Sequence, residues 1–152
     1  MLIYIGADHQ GFQLKDTLKK FLKERGYEII DVGNDKYDEN DDYPDFAALV
    51  ARQVAQDITI RRGILICGSG AGVDITANKF KEIRSVLAAN PDQAYLSRRD
   101  DDTNVLSLAA EFTNEETAKK ILSVWLATPF SGEEKYKRRI EKIRNIEYGN
   151  QE

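Results

Sequence analysis

The chain has 152 residues, the length of one ordinary domain, and is 41% hydrophobic and 32% charged. It can bury a core, which excludes a disordered chain and a fibrous repeat, and its single cysteine excludes a disulfide scaffold. With 22 basic and 26 acidic residues the net charge is −4, which argues against a nucleic-acid partner held by overall electrostatics. No apolar run is long enough for a bilayer, and no basic flank precedes an apolar stretch at the N-terminus. A soluble, cytoplasmic, single-domain protein over residues 1–152 with no membrane partner is therefore expected.

Strand and helix signals alternate from the first residue. Residues 2–7 form an apolar run of strand formers ending at Asp8-His9, and Phe12, Leu14, Leu18, Phe21 and Leu22 then recur at helical spacing until Gly26 offers a stop. Tyr27 to Val32 predicts a second strand, and 33–45 an acidic loop that ends at Tyr43-Pro44. Phe46, Leu49, Val50 and Val54 mark the second helix, with Pro44 near its start. Gly63 to Cys67 is apolar on both faces, as a central parallel strand should be. A glycine loop, Gly68-Ser-Gly-Ala-Gly72, follows it and leads into a helix predicted to run through Ala77 to Phe80. Ser85–Ala88 and Val105–Leu108 predict the fourth and fifth strands, with a helix over 92–98 between them. Thr113-Asn-Glu-Glu116 reads as a capping box for a long helix past Trp125, and a basic helix covers roughly 133–147. Repeated βα units predict a mostly parallel sheet with helices on both faces.

In such sheets ligands bind beyond the carboxyl ends of the strands, where strand order reverses. That rule selects Asp8-His9 and Cys67 to Gly72, and these positions hold the chain's only histidine and only cysteine. Alternating glycines let backbone N–H groups converge on an anion, although the same pattern also serves a plain tight turn. The loop has neither the Gly-Lys-Ser/Thr of a nucleotide loop nor the placement of a dinucleotide fingerprint. Cys67, just before the following helix, is placed to be a thiolate base or nucleophile, although a lone cysteine at a strand end is more often a small buried apolar residue. Ser69 can relay a proton or simply form the turn. Asp8 can bond a substrate hydroxyl or cap the first helix, and His9 can contact phosphate, assist ring opening or be a helix-start residue. Lys135 and Arg139 stand four apart on one helix face and can clamp a phosphate, though such basic runs are often just solvated. One histidine and one cysteine do not furnish a zinc site, so no metal is expected. A phospho-accepting receiver domain shares the βα pattern, but there the third strand ends in an aspartate rather than Cys67.

Taken together, Gly6-Ala-Asp-His-Gln-Gly-Phe12, Asp42-Tyr-Pro44, Gly63 to Gly72, Ala77-Asn-Lys-Phe80, Ser97-Arg98, Asp102 to Leu106 and Trp125 to Phe130 resemble the sugar-phosphate isomerases of the type B ribose-5-phosphate and galactose-6-phosphate isomerase family. They fall in order over nearly the whole chain, and Cys67 places it nearer the ribose-5-phosphate branch. The resemblance implies a Rossmann-like three-layer α/β/α sandwich with a five-stranded parallel sheet and a C-terminal helix reaching a partner subunit. It implies an aldose–ketose isomerase without metal or cofactor, acting on ribose 5-phosphate through a cis-enediolate, as a homodimer or dimer of dimers. A hexose 6-phosphate isomerase or a non-catalytic sugar-phosphate-binding homologue is the alternative. The implied catalytic residues are Cys67, Ser69 and Asp8. Substrate contacts are His9, Tyr43, Gly68, Gly70, Ala71, Gly72, Asp100, Asp101, Lys135 and Arg139. Asp100 stands where the family usually has a ring-opening histidine, Asp101 where it has asparagine, and Glu111 where many members have a phosphate-binding arginine. Glu133-Glu-Lys-Tyr136 replaces the usual Gly-Gly-Arg-His. Proton-transfer groups are kept while ring-opening and phosphate groups are altered, which suggests a changed substrate or a slower enzyme.

Overall fold

The computed structural model describes residues 1–150. Five strands, β1 (Leu2–Ala7), β2 (Glu28–Asp31), β3 (Arg61–Cys67), β4 (Ser85–Leu87) and β5 (Val105–Ala109), form one sheet in the order β2-β1-β3-β5-β4. Every pairing is parallel. The helices are α1 (Phe12–Glu24), α2 (Tyr43–Ala55), α3 (Ala71–Ala77), α4 (Pro91–Asp101), α5 (Glu115–Ala127) and α6 (Glu134–Glu147). None of the described helices is long and apolar enough to cross a membrane.

The period-two alternation of the inner strands divides the core in two. Ile3, Ile5, Ile64, Ile66, Leu106 and Leu108 face Leu18 and Leu22 of α1, Ala94 of α4 and Trp125 of α5. Tyr4, Leu65, Cys67 and Val105 face Val50 and Val54 of α2 and Val73 and Ala77 of α3. The result is the expected three-layer α/β/α sandwich. β3 and β5 are buried almost throughout because each has a strand on either side and helices above and below, whereas edge strand β2 alternates between exposed and half-buried.

Several boundaries differ from the sequence pattern. α3 stops at Ala77, three residues before Phe80, because Asn78 leaves the helix to pair with Ser85 across the turn: Asn78 Nδ2 donates to the Ser85 carbonyl at 3.1 Å, and Ser85 N–H donates to Asn78 Oδ1 at 2.8 Å. α4 begins earlier and ends later than 92–98, with the Asn90 side chain accepting the Gln93 N–H at 2.8 Å. The capping residue of α5 is Asn114, whose side-chain Oδ1 accepts from Thr117 N–H at 2.8 Å, so the capping box proposed at Thr113 and Glu116 does not form.

β2 also carries a buried ion pair. Lys15 of α1, 2% exposed, donates to Asp31 Oδ1 at 2.9 Å and to the Asn34 carbonyl at 2.6 Å, while Lys19 reaches the other Asp31 oxygen. Burial pushes the Asp31 carboxyl up, but the Lys19 and Lys15 hydrogen bonds outweigh it and hold the group below the ordinary carboxylate value. A depressed carboxyl contributes stability above its unfolded pKa and loses it as pH falls through the folded one. Asp31→Asn should therefore cost about 3 kcal/mol at pH 7, the scale for leaving a buried charge without its partner. In urea unfolding, the gap between variant and wild type should narrow as pH is taken well below 4.

Candidate active site

The chain leaves β1 for β2 on one side and returns to β3 on the other, so strand order reverses between β1 and β3. Ala7 pairs with Ile66, and Asp8 N–H donates to the Ile66 carbonyl at 3.3 Å. The first residue past β1 and the last of β3, Asp8 and Cys67, are thereby neighbours, 5% and 4% exposed. Asp8 Oδ1 accepts the N–H groups of Gln10 at 3.0 Å and Gly11 at 3.1 Å. It caps the turn before α1 rather than the helix itself, whose N-cap is Gly11. Burial raises the Asp8 carboxyl above its ordinary value, against the lowering effect of the Gly11 N–H and of His9.

Beyond Cys67 the glycine loop is tied to the end of β5. Ala110 N–H donates to the Cys67 carbonyl at 2.9 Å and Glu111 N–H to the Gly68 carbonyl at 3.0 Å. Gly70 has φ +73°, a left-handed conformation that turns the chain into α3 and that a side chain rarely tolerates. A methyl group there would also lie 2.4 Å from Leu87. Ala71 N–H donates to Ser69 Oγ at 3.3 Å. Tyr43, the first residue of α2, lies over Gly72 so closely that a methyl on Gly72 would be 2.5 Å from its ring. Gly68 lies beneath two side chains: a methyl on it would be 1.6 Å from Gln10 Oε1 and 3.1 Å from Glu111 Oε1. Asp8, Cys67, Ser69, Gly68 to Gly72 and Tyr43 thus converge at one mouth, where Gln10 and Glu111 join them. A thiol, a hydroxyl, a buried carboxyl and a glycine-rich backbone that can face an anion are suited to moving protons on a polar substrate.

His9 is held by residues that its sequence neighbourhood did not indicate. Its Nδ1 lies 2.7 Å from Asp41 Oδ1, and the same oxygen accepts the His9 backbone N–H at 2.9 Å. The other Asp41 oxygen accepts from Asn34 Nδ2 at 2.8 Å, and Asn34 is the residue whose carbonyl Lys15 holds. The hydrogen bond that the ring donates to Asp41, helped by the nearby Asp8 charge and opposed by slight desolvation, raises the His9 pKa above 6.5. Burial pushes Asp41 up, but the His9 and Asn34 hydrogen bonds leave it below the ordinary range. Asp8, His9 and Asp41 bring ligand-type atoms within 4.8 Å of one another. Those atoms already satisfy each other and the Asp8 turn, so the cluster is a hydrogen-bond network. In the sequence Asp41 reads as one of many loop acids and Lys15 as a surface lysine, so neither carried a signal.

The remaining expected site residues lie elsewhere in the chain. Asp100 and Asp101 end α4, and the Asp101 carbonyl accepts from Arg84, the residue before β4, at 2.9 Å. They stand at the amino-terminal edge of the sheet, opposite Cys67. Asp100 is engaged by Arg99 Nε at 2.6 Å and Nη2 at 3.0 Å. That hydrogen bonding, aided by Tyr136 against desolvation, holds Asp100 below the ordinary carboxylate range. Asp101 is raised, first by burial and then by Asp100, with Arg139 acting against the shift. Lys135 and Arg139 are exposed on α6 and flank the buried Tyr136 ring at 4.8 and 5.5 Å.

A family model described as Ribose/Galactose Isomerase matches residues 3–143. Ribose-5-phosphate isomerase B of Escherichia coli (strain K12) is 43% identical over 145 residues, covering 95% of each chain. A D-erythrulose-4-phosphate isomerase of Pectobacterium atrosepticum is 36% identical over 130 residues, 86% of this chain and 85% of that one. The crystal structure of ribose-5-phosphate isomerase B from Mycoplasma genitalium with bound ribulose-5-phosphate superimposes with a TM-score of 0.94 at 39% identity, covering 97% and 96% of the two chains.

The raised His9 pKa is directly testable, because one histidine yields one set of imidazole signals. In an NMR titration its midpoint should lie above 6.5 and drop in Asp41→Asn. The stabilisation from this pair is present in full below pH 6.5 and is lost as pH rises through the raised midpoint.

Proposed function

The chain belongs to the ribose/galactose isomerase family, and we propose that this isomerase interconverts ribose 5-phosphate and ribulose 5-phosphate at the Asp8–Cys67 edge. The observation that carries the reading is the meeting of Asp8, Cys67 and the glycine loop where strand order reverses. In the opened sugar, the Cys67 thiolate removes the C2 proton, and the C2–H electron pair shifts toward the C1 carbonyl to leave a cis-enediolate. The same sulfur returns the proton to C1. Ser69 exchanges the hydroxyl proton between O1 and O2. Backbone N–H groups of Gly68, Gly70, Ala71 and Gly72 stabilise the enediolate charge, the kind of preorganised donor set that contributes most to such reactions. Asp8 bonds a substrate hydroxyl, and Tyr43 and His9 border the sugar.

The phosphate requires cations, and Glu111 at the mouth offers the opposite charge. Lys135 and Arg139 are the cations for that task, and with Asp100 and Asp101 they serve the site of a second copy. α6 then reaches across a homodimer, alone or paired into a dimer of dimers.

The first test is incubation with ribose 5-phosphate in deuterated water, following ketose formation and deuterium at C2 by NMR. Cys67→Ala should lower turnover by about 10³-fold, the scale for removing a positioned base. Alkylation of Cys67 should abolish turnover. Absence of exchange in wild type across pentose and hexose phosphates would sink the isomerase reading, and full activity after confirmed alkylation would exclude the thiolate as base.

Sharing of the site between subunits is tested by mixing inactive Cys67→Ala with inactive Arg139→Ala after reversible dissociation. Random re-pairing should restore about a quarter of wild-type activity, because half the dimers are mixed and each has one intact site. No recovery, with mixed dimers demonstrated, would place Arg139 outside the partner's site.

A further inference from the structure

A five-carbon aldose phosphate exists mainly as a ring, while proton transfer between C1 and C2 needs the open aldehyde. Opening requires a proton for the ring oxygen and an acceptor for the O1 hydroxyl proton. Asp100 does not supply the first, because two hydrogen bonds from Arg99, aided by Tyr136, hold it as a carboxylate with no proton to give. His9 is the only imidazole in the chain, and it stands beside Asp8 at the Cys67 edge.

Resting on the isomerase reading of the same site, we propose that His9 is the catalytic acid that opens the sugar ring and that Asp41 is its positioning residue. Asp41 occupies Nδ1 at 2.7 Å and also holds the His9 backbone N–H, so ring and main chain are fixed together, and Nε2 is the nitrogen with no hydrogen-bond partner among the described residues. Asn34 locks the second Asp41 oxygen, and Lys15 locks Asn34. The Tyr37 ring closes the edge of the imidazole at 6.3 Å. The charged groups facing His9 are the carboxylates of Asp8, Asp38 and Asp41, and all of them favour the imidazolium. In the step, His9 Nε2–H gives its proton to the ring oxygen as the C1–O bond breaks and that bond's electron pair goes to the oxygen. The O1–H pair forms the C1=O1 double bond, and its proton passes to the Asp8 carboxylate, whose affinity for a proton is raised by burial. Exchange with solvent then deprotonates Asp8 and reprotonates His9.

A substrate that has no ring to open separates this step from the rest. In erythrose 4-phosphate the phosphate occupies the hydroxyl that would close a furanose, so isomerisation begins from the open chain. In His9→Gln, the ratio of kcat for ribose 5-phosphate to kcat for erythrose 4-phosphate should fall at least tenfold. In Asp41→Asn the same ratio should fall. The high-pH limb of the ribose 5-phosphate profile, set by loss of the His9 proton, should also move to lower pH. Equal slowing of both substrates, or a limb that stays in place, would overturn the ring-opening role and leave the isomerase reading intact. Wild type that converts erythrose 4-phosphate alone would overturn it too, since no ring is then opened. Wild type that converts neither would remove the isomerase reading and this role with it.

Discussion

The parallel pairing of β1 with β3 is the constraint on which the site depends. It is built from six consecutive residue pairs, Leu2 with Arg61 through Ala7 with Ile66. Because side chains alternate along a strand, a slip of one residue would move the whole core set of β3 to the wrong face. It would turn Cys67 from the α2/α3 side of the sheet to the other. The same pairing sets Asp8 level with the end of β3. Packing and chemistry therefore share one register: the contacts that bury Ile5, Ile64 and Ile66 also place a carboxyl beside a thiol.

A second framework, a polar one, joins α1, β2 and the loop that follows it. It starts at the buried Lys15 ammonium, passes through Asp31 and the Asn34 carbonyl, and ends at Asp41 and His9. Burying an ammonium is costly unless its protons are satisfied, and Lys15 meets that demand with the chain that leads out of β2. The loop that follows is thereby anchored at its start, which fixes the carboxylate that orients the histidine. Stability at the edge of the sheet and orientation of a site residue are one network, so pH acts on both.

How much of this was legible beforehand follows from the range of each interaction. Residues 2–7 and the inner strand at 63–67 were readable because a buried parallel strand must be apolar on both faces, a local property. The glycine loop was readable because a left-handed residue such as Gly70 leaves a trace in the sequence. Boundaries were less legible where a side chain chose between partners, as Asn78 does in ending α3 to bind Ser85 and Asn114 does in capping α5. Asp41 was not legible at all. It is one of several acids in a polar loop, and only the folded path of 33–42 brings it to His9, 32 residues away.

By itself the sequence determined the layered α/β/α class, the family and the identity of the groups at the mouth, because strand alternation, glycine placement and scarce residue types are local and survive any rearrangement at long range. The tertiary structure alone decided who partners whom. It gave Asp41 to His9, set Glu111 and Gln10 over Gly68, committed Asp100 to Arg99 and placed Lys135 and Arg139 away from Cys67 in the same chain. Such pairings depend on distances between segments far apart in the chain, and those distances are set by how the sheet stacks, not by any local residue pattern.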